Sequence, residues 1–183
     1  MKTLFLKYKG VVKFILTFLV VYTVLSFTYK FYLQYSDGSK FYPDYLTHLV
    51  AKQSEILLND FGYKVFMQPH PNEPSMKLIF NGKYLARIVE GCNSVSVIIL
   101  FVSFIVAFSG SLKSTIFYVV FGSVLIYIVN LLRIVVLSIG LYKYPEHDHV
   151  LHNVIFPAII YGMLFLLWVI WVNQFSKFEN KNE

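Results

Sequence analysis

Cysteine occurs once in the 183 residues, at Cys92. A lone thiol excludes an intramolecular disulfide, a Cys-x-x-Cys redox pair and a Cys/His zinc spacing. Charge is scarce too: Asp, Glu, Lys and Arg make up 14% of the chain, 57% is hydrophobic, and the mean hydropathy is +0.61. That excludes an ordinary soluble domain and fits an integral membrane protein whose first partner is the lipid bilayer. A glycine-rich nucleotide loop, an internal repeat and a low-complexity tract are all missing. The net charge of +6 does not indicate a nucleic-acid partner, because the basic residues cluster beside apolar runs, at 2–13 and again at 177–181. Such clusters orient a chain in a bilayer.

What is present divides into four parts. Residues 1–32 hold Lys2, Lys7, Lys9 and Lys13 with no acid among the first 13 residues, then an apolar run from Phe14 to about Phe31. The run has no small-residue cleavage site, so it reads as an uncleaved first span with a cytoplasmic N-terminus. Residues 33–91 are polar, with six basic and six acidic side chains up to Glu90. Pro43 followed by Leu46, Leu49, Val50, Ile56 and Leu57 predicts an amphipathic helix lying on the membrane. After a proline-broken loop at 68–74, Met76, Leu78 and Phe80 alternate with polar residues, as do Tyr84, Ala86 and Ile88 beyond Asn81-Gly82. That pattern is a β-hairpin closed by a type I′ turn, which Tyr63, Val65 and Met67 would extend to a third strand. Residues 92–175 supply three more spans, at roughly 93–109, 114–141 and 151–174, and 176–183 form a cytoplasmic tail. The expected fold is an all-α bundle of four transmembrane helices with a small extracytoplasmic α+β insert between the first two. Four crossings put Lys113, Lys177 and Lys181 on the side of the N-terminal lysines, as the positive-inside rule asks.

This topology brings the chemically capable residues to one depth on the outer side. Cys92 opens the second span, Asn130 and Arg133 sit in the outer half of the third, and His152 opens the fourth. An arginine inside a span costs at least about 2.5–3.5 kcal/mol on insertion scales, which marks Arg133 as a functional candidate; the plain alternative is a snorkelling or helix-pairing residue. Asn130 lies one turn earlier on the same face, placed to orient the guanidinium or to bond a neighbouring helix. A lone cysteine is usually an inert small hydrophobe, but Cys92 follows Gly91 at a helix start, where end amides and Arg133 both favour thiolate. The N–H groups of Asn93 and Ser94 are candidate oxyanion donors. A histidine beside such a thiol can act as base and then as acid to a leaving amine. His152 is the histidine on the helix, whereas His147 and His149 read as solvated loop or, with His152, as ligands of a metal site. The spacing does not choose between Glu146 and Asp148 as an orienting carboxylate.

Gly91-Cys92-Asn93-Ser94, Asn130-Leu131-Leu132-Arg133-Ile134, and His152-Asn153 ahead of Gly162 together resemble the exosortase/archaeosortase family of membrane cysteine transpeptidases, in particular its short XrtF-type members. Many relatives carry Cys-Ser-Gly or Cys-Thr-Gly where this chain has Cys-Asn-Ser, and longer ones have about eight spans. The resemblance covers residues 88–165 and implies a catalytic Cys92, Arg133 and His152 with no cofactor. Its partners would be secreted proteins with a C-terminal sorting signal, an amine acceptor or water, and an associated membrane protein. It also implies a multi-pass protein of the bacterial inner membrane with its active site toward the periplasm. Two other classes compete: a non-enzymatic membrane assembly partner, and a histidine-cluster protein handling metal or haem.

Overall fold

The computed structural model describes residues 8–36, 38–108, 110–150 and 154–174. Helix α1 (Lys9–Tyr35) contains no acid and fully buries none of its residues, so much of its apolar surface is left to face lipid. Helix α2 (Tyr45–Asp60) starts where Asp44 accepts from the Leu46 and Thr47 amides, both at 3.0 Å. A carboxylate in that position satisfies two of the amides that a helix start leaves over. Strands β1 (Val65–Pro69), β2 (Met76–Phe80) and β3 (Lys83–Ile88) form an antiparallel meander in that order. Helix α3 (Val95–Ala107), helix α4 (Leu112–Lys143) and helix α5 (Phe156–Gln174) follow.

By length and composition α1, α4 and α5 can each cross a membrane. The second expected span is shorter than its sequence suggested. A 3₁₀ turn at Glu90–Cys92 and a left-handed Ser94 (φ 65°) use up its start, and Phe108 leaves the helix in extended backbone. The remaining 13 residues rise only ~20 Å, against a hydrocarbon core of about 30 Å.

The hairpin closes as its sequence requires. Asn81 (φ 49°) and Gly82 (φ 80°) both take the positive φ of a type I′ turn. One detail differs from strict alternation. An irregularity between Leu78 and Ile79 pairs Ile79 with Tyr84 and Leu78 with Ala86. Tyr84, opposite Ile79, faces outward and is 57% exposed, and the unpaired Leu85 shifts the register so that Ile88, opposite Met76, lies inside. The buried stripe of α2 also differs from the expected membrane-lying face: Thr47, Val50, Ala51, Ser54 and Leu58 are inside and Ile56 is out. Small residues suit that stripe because α2 lies against β1. Its side chains also occupy the β1 edge: Asn59 bonds both backbone groups of Val65 at 3.0 Å, and Glu55 accepts from Met67 N at 3.1 Å.

Two hydrophobic cores result. One joins α2 and the sheet to α4, with Val50, Leu58, Met76, Leu78 and Phe80 packed with Ile134 and Val135. The other joins α3, α4 and α5 through Phe101, Ile105, Ile126, Leu164 and Trp171. Helix α1 docks on α3, where the Phe14 ring meets Phe104 and Phe108 at 5.7 and 4.5 Å. Helices α3 and α4 approach closely at Gly122, where a Cβ would fall 2.3 Å from the fully buried Phe101 ring. Overpacking of this kind costs about 1–3 kcal/mol. Gly122→Leu therefore lowers the thermal midpoint of the solubilised protein by several degrees, whereas Gly162→Leu, with nothing within 4 Å of its Cβ position, leaves it nearly unchanged. Equal midpoints for the two variants would contradict this packing.

Candidate active site

Strand β3 delivers the chain directly to Cys92. Val89 remains extended, and the turn at Glu90–Cys92 is held by Cys92 N donating to Val89 O at 2.8 Å and Asn93 N donating to Glu90 O at 3.1 Å. Cys92 is half-buried against the sheet-side core and lies just ahead of α3 rather than at its first residue. Two residues later Ser94 adopts its left-handed conformation with its hydroxyl turned onto Asn93 O at 2.6 Å.

Asn93 is buried and fully engaged. Its amide donates to the Tyr29 hydroxyl at 2.7 Å and to Thr47 Oγ1 at 3.1 Å, and its side-chain oxygen accepts from Val95 N at 3.0 Å. One side chain thus ties α1, α2 and the start of α3 together. This corrects the expectation that Asn93 offers a free N–H to an oxyanion, because that N–H already serves Glu90 O. Tyr29 and Thr47 were not legible as site residues: they lie 64 and 46 positions away from Asn93, and local spacing carries no trace of either bond.

Asn130, buried in α4, donates its amide to the Cys92 carbonyl at 2.7 Å. Of the two expected roles, orienting Arg133 or bonding a neighbouring segment, this contact matches the second: the donor goes to the backbone of the cysteine. Arg133 lies one turn further along α4, partly buried, within electrostatic range of Cys92 and of Tyr161 from α5. The structure therefore gathers Cys92, Asn93, Ser94, Asn130 and Arg133, and adds Tyr161, a residue without a motif. His152 and Asn153 lie outside the described residues. His147 is exposed, with Nδ1 3.4 Å from Glu146 Oε1, and His149 is exposed on the single turn Asp148–Val150.

A thiol whose backbone carbonyl is clamped by Asn130, one turn before an arginine within its electrostatic range, can support attack on an acyl carbon. A cation in that range can stabilise negative charge on sulfur or on a carbonyl oxygen. Residues 3–172 match the family model described as Transmembrane exosortase (Exosortase_EpsH). No curated protein and no solved structure matches the chain.

Removing the Asn130 donor leaves the Cys92 carbonyl unmatched, at a cost of about 1–3 kcal/mol. Asn130→Leu is expected to raise amide hydrogen exchange across residues 89–95 while the 76–88 hairpin keeps its protection. Unchanged exchange over 89–95 would show that the clamp does not hold the turn.

Proposed function

The chain belongs to the transmembrane exosortase family, and from that premise we propose that it is a sortase-like cysteine transpeptidase or protease acting on the C-terminal sorting signal of secreted proteins. The observation that carries the reading is the Asn130 amide on the Cys92 carbonyl, which joins the two halves of the motif at 2.7 Å and leaves Arg133 on the thiol's side of α4.

In the proposed reaction the Cys92 thiolate attacks the scissile carbonyl. The carbon–oxygen π pair moves to oxygen, and Arg133 stabilises that oxyanion. Collapse forms the thioester and breaks the C–N bond, and the leaving amine of the signal takes a proton. His152 is assigned as the general acid and then as the base that takes a proton from the second nucleophile, an amine or water. Attack of that nucleophile on the thioester expels the Cys92 thiolate and restores the enzyme.

The topology that suits this reaction has α3 and its flanking residues completing a fourth crossing. Both chain ends then face the cytoplasm, and the sheet and Cys92 face the periplasm across the inner membrane. A substrate anchored by its own apolar segment reaches such a site from within the bilayer plane. The insert at 33–91 would act as a platform, since β3 continues into the cysteine turn.

In cells making Cys92→Ala in place of the native chain, exported proteins with an apolar, basic-ended C-terminus should retain their C-terminal peptides in mass spectra, and Arg133→Ala should give the same pattern. Loss of those peptides in both strains, as in the parent, would refute the proposed activity.

A further inference from the structure

Beside the cysteine turn, α1 and the segment from Glu90 to Ile99 enclose a groove of about 340 Å³. One wall presents Ser26, Tyr29 and Lys30 of α1, and the other presents Glu90 and Ser96. Charged side chains on a lipid-facing helix are unusual unless something meets them. The ion pairs among the described residues are Lys52–Glu55, Arg87–Glu73 and His147–Glu146, so Lys30 and Glu90 face one groove without pairing with each other. Glu90 instead lies against the Tyr29 phenol, which receives the Asn93 amide and is held in place by it.

We propose that this groove binds the headgroup of an ethanolamine phospholipid, with the phosphate on Lys30 and the primary ammonium on Glu90. The occupant comes from the membrane, because α1 buries no side chain and the groove opens along it. It carries an anion and a cation a few bonds apart, because the two walls carry the opposite charges. It also has an apolar part, for which Leu33 and Ile99 line the groove. A phosphatidylglycerol headgroup answers only Lys30. A choline headgroup has the charge but no N–H to donate to the Glu90 carboxylate. This site is separate from the reaction assigned to Cys92 and stands without it.

The test is native mass spectrometry of the full chain in detergent, titrated separately with dioleoyl phosphatidylethanolamine, phosphatidylglycerol and phosphatidylcholine. The expected result is one tightly retained phosphatidylethanolamine, held severalfold better than the other two. Glu90→Gln removes the preference over phosphatidylcholine, Lys30→Gln weakens all three, and Cys92→Ala changes nothing. Both altered side chains are exposed, so the fold survives their replacement. Equal retention of the three lipids by the native chain, as expected if the groove serves a peptide tail instead, would overturn the proposal. So would a preference that persists in Glu90→Gln.

Discussion

The Cys92 carbonyl sits beside a membrane helix, where backbone groups find little water and must be satisfied by the protein. The Asn130 amide does this at 2.7 Å. Because α4 is one rigid helix from Leu112 to Lys143, that single bond also fixes the distance between the cysteine turn and everything else α4 carries. Arg133 follows one turn later, and Ile134 and Val135 follow it into the core beneath the sheet. The Asn130 amide thus links the backbone of the thiol directly to the helix that carries the guanidinium.

The sheet reinforces the same constraint from the other side. Phe80 and Leu78 pack on the α4 core, the Phe80 ring stacks on Tyr142 at 4.6 Å, and Tyr127 donates to Gln53 Oε1 at 2.6 Å. The hairpin and α2, which carries Gln53, are thus both held to α4, and β3 then runs through Val89 into Glu90–Cys92. Asn93 adds α1 and α2 to the assembly. In the proposed reaction, a thiol held by backbone on both sides would lose little freedom when a substrate arrives, as a preorganised site requires.

Features set by local chemistry were legible in the sequence, and those set by long-range partners were not. Asn81-Gly82 announces its turn because only residues tolerant of positive φ fit there, and the apolar runs announce α1, α4 and α5. The family motif placed Cys92, Asn130 and Arg133 in one region. The truncation of α3 depends on Ser94 adopting a left-handed backbone, which no composition rule marks. That Tyr84 and Ile88 face opposite sides comes from a register irregularity at Leu85 that strict alternation cannot express. Spacing left Asn130 between its helix neighbour Arg133 and a bond to another segment, and could not name the partner 38 residues away; Asn93 is a hub for the same reason.

In the proposed function Cys92 is an accessible nucleophile governed by Arg133 and held by Asn130. As the chain's only cysteine, Cys92 can be read without ambiguity by a thiol reagent. The most direct measurement is its rate of alkylation by a membrane-impermeant maleimide added outside spheroplasts at neutral pH, for the native chain, Arg133→Ala and Asn130→Leu. The expected result is rapid labelling of the native chain from outside and labelling several-fold slower without Arg133. Labelling that requires a permeant reagent, or that proceeds at one rate with and without Arg133, would contradict it.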